Sequence, residues 1–215
     1  MKKSLLLLPI LLLTIGCEKK YTIANYYDYY VKKCESFIED IKKDKGADVV
    51  FLGDSITDWC DLNSYYPEYK VANRGIAGDT TSGLLDRLDF CAYALEPKIV
   101  YMMIGINNID SMFENYESLL KEIKSNLPNS KALIASLTPI SQEGGNKKVI
   151  AANKRIEEYS KNYSFTYLDL YSHMVDKDDY EQIDDSCFLD GLHPNAKGYE
   201  IMTSIIKPVI KDYLS

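Results

Sequence analysis

Residues 48–58, "DVVFLGDSITD", decide how the chain folds. Val49, Val50, Phe51 and Leu52 form an apolar run without alternation, the pattern of a strand buried on both faces of a parallel sheet. Gly53 then permits a sharp turn, and a helix is expected from Ile56 onward. Ser55 therefore falls at a strand-to-helix junction, with its hydroxyl exposed and its N–H near the positive end of a helix. A nucleophilic serine needs that setting. Asp54 and Ser55 serving merely as helix caps would explain the same residues, and the rest of the chain has to discriminate.

Outward from this strand, apolar runs return at "KVANRG" (70–75), "IVYMMIG" (99–105), "ALIASLTP" (132–139) and "FTYLDLY" (165–171). Helical patterns lie between them. From Ser111 to Leu127 one face carries Met112, Phe113, Tyr116, Leu119, Leu120, Ile123 and Leu127, with Ser111 as N-cap and Glu114 in capping-box register. Another helix is expected from about Lys147 to Asn162, and a last one after Pro194, kinked at Pro208. Strands alternating with helices of this length imply right-handed βαβ units, hence an α/β fold with a parallel sheet of about five strands covered on both faces.

The amino terminus has a different character. Lys2 and Lys3 precede an apolar stretch, Leu5 to Ile15, too short to span a bilayer as a mature helix. Residues 1–16 read as an export signal, and Gly16 before Cys17 resembles a bacterial lipoprotein signal in which Cys17 is lipidated, although Thr14 stands where leucine is usual. Residues 17–43 read as a lipidated tether and an amphipathic helix with Tyr27, Tyr30, Val31, Cys34, Phe37, Ile38 and Ile41 at helical spacing. This places the protein at a cell envelope, anchored to a membrane, or secreted if Cys17 is not lipidated. Residues 44–215 form the main domain. The formal charge of −7, more negative still without Lys2 and Lys3, opposes binding to nucleic acid. Cys34, Cys60, Cys91 and Cys187 are even in number, so one or two disulfides are possible in an oxidising compartment. No CxxC spacing suggests zinc.

In a doubly wound sheet the working site lies beyond the carboxyl ends of the strands. "GDS" follows the first strand, "NRGIAGDT" (73–80) the second, "GINN" (105–108) the third, "SQEGGNK" (141–147) the fourth, and "DGLHP" (190–194) lies after the fifth. Each offers a chemical part. His193 can serve as base toward Ser55, with Asp190 accepting from its other ring nitrogen. Gly78 lets its N–H approach a substrate oxygen, and Asn107 offers a side-chain amide. With the Ser55 N–H these would form an oxyanion hole.

The four blocks "GDSIT", "NRGIAGDT", "GINN" and "DGLHP" closely resemble those of the SGNH, or GDSL-like, hydrolases, over about residues 48–213. The resemblance implies Ser55 as nucleophile, Asp190 and His193 completing the triad, and Gly78 and Asn107 as oxyanion donors. It further implies a three-layer, flavodoxin-like sandwich, no metal and no cofactor. The expected reaction is hydrolysis of carboxylic esters, commonly acetyl or short acyl groups on sugars or lipids. Asn108, where aspartate is frequent, is as in the branch resembling platelet-activating-factor acetylhydrolases.

Competing readings are weaker. A dinuclear metallophosphatase needs several histidines, and only His173 and His193 exist. The acidic run 176–185 lacks the glycine and spacing of an EF-hand loop. His173 could replace His193 as base, but lacks the Asp190 pairing. A non-catalytic, surface carbohydrate-binding lipoprotein on the same fold would be expected to have lost part of the triad.

Overall fold

The computed structural model describes residues 23–43 and 46–215; the expected signal (1–16), Cys17 and the remainder of the tether before residue 23 lie outside the described residues. In chain order come α1 (Ile23–Lys43), β1 (Val49–Gly53), α2 (Ser55–Asp58), α3 (Leu62–Tyr65), β2 (Val71–Gly75), α4 (Thr81–Leu85) and α5 (Leu88–Cys91). The second half contains β3 (Ile99–Met103), α6 (Phe113–Asn126), β4 (Lys131–Ala135), α7 (Gly145–Asn162), β5 (Thr166–Leu168) and α8 (Ala196–Leu214).

The five strands form one sheet in the order β2-β1-β3-β4-β5, and every pairing is parallel. This is the doubly wound arrangement, whose direction of winding reverses between β1 and β3 and opens a crevice at their carboxyl ends. Apolar content follows position in the sheet. β1 and β3 are buried along their whole length, whereas edge strand β2 is half-buried over its first three residues, Asn73 among them. On one face, Phe51 lies in register with Tyr101 and also meets Tyr66, their ring centroids about 5 Å apart, and Met202 and Ile206 of α8 pack onto the same group. Right-handed crossovers put α4 to α7 on the opposite face, where Phe113 and Tyr116 of α6 meet Tyr159 of α7.

Several elements differ from expectation. α1 does form, but Tyr27 and Ile38 point outward, 67% and 39% exposed. Its packed face runs through Tyr30, Cys34, Phe37 and Ile41, and Phe37 is buried in the core beneath the Arg74 guanidinium. α6 begins at Phe113 rather than after Ser111. The Ser111 N–H donates to the Asn108 carbonyl in the preceding tight turn, and Met112, without a side-chain cap, precedes the helix. α8 continues unbroken through Pro208, with Ile206 and Ile210 buried on either side. The possible disulfides do not form: Cys34, Cys60, Cys91 and Cys187 are free thiols on separate segments.

Candidate active site

The turn after β1 is built around glycine. A Cβ at Gly53 would meet Thr57 Oγ1 at 2.2 Å and the Met103 carbonyl at 2.7 Å, so only glycine lets the strand end directly beneath the following helix. Asp54 then caps α2, its Oδ1 accepting the Ile56 N–H at 3.1 Å. The helix is a single turn that starts at Ser55, leaving the Ser55 N–H without an intrahelical acceptor. Asp54 is fully buried and its Oδ2 has no partner among the described residues. Burial pushes this carboxyl up to about 7.

The Ser55 hydroxyl is not exposed as expected: the residue is 5% exposed. The imidazole of His193, equally buried, covers it, and the two are bonded, Ser55 Oγ to His193 Nε2 at 3.0 Å. His193 Nδ1 lies 2.7 Å from Asp190 Oδ2. Since a carboxylate only accepts, the proton sits on Nδ1 and Nε2 faces the hydroxyl as acceptor. Asp190 also folds its own loop, Oδ1 accepting the N–H groups of Leu192 and His193 at 3.1 and 2.8 Å. Burial raises its pKa, but these bonds and the imidazole outweigh burial and hold the carboxyl below its ordinary value. His173 is exposed on a short 3-10 turn, where it makes no bond to Ser55.

Gly78 has φ +80°, and a Cβ there would meet the Tyr26 ring at 2.7 Å. It stands at the surface of the crevice, and its N–H bonds no described group. Asn107 is exposed as well, and one N–H of its amide donates to the Asp79 carbonyl at 2.9 Å, which ties it to the residue after Gly78 and leaves its second N–H free. Coordinates thus join Ser55, His193 and Asp190 through direct bonds and couple Asn107 to the Gly78 loop.

Four further residues, Asp58, Trp59, Asp79 and Arg87, shape this edge. Arg87 and Asp79, both 1% exposed, form a buried pair, Nε to Oδ2 at 2.9 Å. The same guanidinium donates to the Arg74 carbonyl at 2.8 Å and the Gly53 carbonyl at 3.2 Å. One cation therefore ties the ends of β1 and β2 to the loop that carries Gly78. Asp58 accepts the Ala77 N–H at 2.8 Å, and Lys33 and Tyr29 of α1 bond the same carboxylate. Trp59 stacks on His193, ring centroids 4.2 Å apart and tilted by 37°. The loop after β4 also reaches the site, the Ser141 N–H donating to the Gly191 carbonyl at 2.8 Å. Among the described residues, no group of three or more His, Cys, Asp or Glu is placed to hold a metal ion.

A hydroxyl, an imidazole and a carboxylate bonded in series at the carboxyl edge of a parallel sheet have the form of a serine hydrolase site. The model of the GDSL-like lipase/acylhydrolase family matches residues 51–201, and the chain belongs to that family. Platelet-activating factor acetylhydrolase IB subunit alpha2 of Homo sapiens is 29% identical over 124 residues, 52% of this chain and 52% of the relative. The match thus spans about half the length of that curated relative. A multidomain esterase of Ruminococcus flavefaciens is 25% identical over 220 residues, covering 94% of this chain and 28% of the esterase. Among solved structures, a GDSL-like lipase of Bacteroides thetaiotaomicron superimposes with a TM-score of 0.71 at 28% identity, covering 88% of this chain and 98% of the lipase.

Proposed function

We propose that the chain is a serine esterase that hydrolyses carboxylic esters of acetyl or other short acyl groups through an acyl-enzyme on Ser55. The observation that carries this reading is the bonded series Ser55–His193–Asp190, with 3.0 and 2.7 Å contacts on either side of the imidazole. His193 Nε2 takes the Ser55 proton as Oγ attacks the ester carbonyl, and Asp190 stabilises the imidazolium so formed. The N–H groups of Ser55 and Gly78 and the free amide N–H of Asn107 receive the developing oxyanion. The imidazolium then returns its proton to the alcohol oxygen as the C–O bond breaks. Water, activated by the same imidazole, attacks the acyl carbon and frees Ser55. None of these steps calls on a metal or cofactor.

Short acyl groups are favoured by the likeness to an acetylhydrolase, and the substrate is a small-molecule or glycan ester. Residues 1–16 are proposed to be removed on export and Cys17 to carry a lipid, which would hold the enzyme at a membrane of the cell envelope. Among the described residues no helix is long and apolar enough to cross a membrane. α1 packs onto the domain, so the tether proper would be only the few residues before it.

The deciding experiment is turnover of p-nitrophenyl acetate by the purified protein and by Ser55→Ala. The parent should turn over and the variant should lose on the order of 10⁶-fold in kcat. Equal rates for the two would sink the acyl-enzyme; an inactive parent that binds glycans would favour a binding protein.

A further inference from the structure

We propose that Trp59 is the platform for the alcohol half of the ester and selects alcohols that present the flat face of a pyranose ring. The inference rests on the esterase reading and extends it to the substrate. Trp59 closes α2, its N–H donating to the Ser55 carbonyl at 3.0 Å, so it stands one helical turn from the nucleophile on the same side of the helix. One part of its indole lies against the His193 ring. The remainder is open: Trp59 is 50% exposed, whereas Ser55 and His193 are 5% exposed. Among the described residues, a large aromatic surface is thus left open directly beside two nearly covered reactive groups.

The reaction dictates which half of the substrate meets it. When the tetrahedral intermediate breaks, the alkoxy oxygen must lie within about 3 Å of His193 Nε2 to receive its proton. The carbonyl oxygen meanwhile is held toward Gly78 and Asn107, so the acyl and alcohol halves diverge. Whatever is attached to the alkoxy oxygen emerges one or two bonds from an imidazole whose ring face is already against Trp59. The negative face of the indole attracts polarised C–H groups, and a pyranose ring presents several on one flat side, whereas a short open-chain alcohol presents few.

The test compares three acetates that share one acyl group: glucose pentaacetate, glycerol triacetate and ethyl acetate. Trp59→Ala should lower kcat/KM for the sugar ester by about 3- to 10-fold more than for the other two, and Trp59→Phe should retain most of the preference. Trp59 is the one tryptophan of the chain, which supplies a second readout. Added to Ser55→Ala, glucose pentaacetate should change the indole emission saturably and ethyl acetate should not. Equal losses on all three esters with an unmoved emission would overturn the platform and leave the esterase intact. A larger loss on glycerol triacetate would overturn the choice of a sugar. An inactive parent whose emission still responds to the sugar ester would sink the esterase while the platform stands.

Discussion

Ser55 and Gly78 follow the ends of two paired strands, and a buried guanidinium binds both strand ends and the carboxylate beside Gly78. Asp190 and His193 have no such footing. They belong to a loop long after β5, held largely by its own bonds, Leu189 N–H to the His193 carbonyl, Asn195 N–H to the Cys187 carbonyl and the two N–H groups that Asp190 accepts, with one bond from outside, the Ser141 N–H to the Gly191 carbonyl. The contrast separates two ways of fixing a side chain at this edge. At Ser55, position is inherited from the sheet, so it is coupled to global stability. At His193, it is set chiefly by one carboxylate that shapes the loop and orients the ring together, so on the proposed mechanism activity can be lost without unfolding.

The largest effect expected from this difference is at Asp190. Asp190→Asn keeps an oxygen for the loop N–H groups but no longer stabilises the imidazolium or its tautomer, and kcat for p-nitrophenyl acetate should fall by about 10⁴-fold. Thermal unfolding should stay close to that of the parent. A large drop in Tm would break the contrast, because the loop would then belong to the cooperative core. Arg87→Ala should behave oppositely. It strands Asp79 as a buried, unpaired charge and removes donors from two strand ends, at a cost of about 3–5 kcal/mol in urea unfolding. A double variant with Asp79→Ala should recover part of that loss; an undiminished loss would mean that the pair matters through its backbone bonds alone.

The smallest effect concerns Asp54 and is read through pH. Its carboxyl titrates near 3.9 in an unfolded chain and near 7 when buried, where Asp79 adds to the rise and Arg87 opposes it. The folded state therefore holds an extra proton between those values, and stability contributed by the neutral form is lost as pH rises toward 7. Asp54→Asn keeps the cap acceptor and never ionises. Between pH 5 and pH 8 the parent should lose on the order of 2 kcal/mol more than this variant in denaturant unfolding. Parallel pH profiles would show that Asp54 is already neutral or already solvated throughout.

The sheet was legible because buried parallel strands leave continuous apolar runs, and Val49–Gly53 and Ile99–Met103 are buried at every residue. Ser55, Gly78, Asn107, Asp190 and His193 stood out because glycines and polar residues interrupt those runs at one edge. Arg87 did not. Its partners lie 8 to 34 residues away in sequence, and a lone arginine after a helical turn has the signature of a solvated face. The contact between Trp59 and His193 was hidden for a related reason: it bridges most of the chain. The N-terminal helix was found but rotated, because Tyr26, Tyr27, Tyr29 and Tyr30 crowd one turn and composition alone does not tell which of them packs. Cysteine number carried no distance, so an even count did not foretell free thiols.

Those thiols have a practical meaning. Burial drives Cys60 up to about 12 and Cys91 up to about 11, and it raises Cys34 and Cys187 as well, so at neutral pH all four remain protonated and poor nucleophiles. The domain should therefore ripen equally well in a reducing or an oxidising milieu and tolerate storage without added dithiothreitol. A cysteine engineered onto its open surface would react with a maleimide well ahead of these four, giving a clean attachment point for a fluorophore or a solid support.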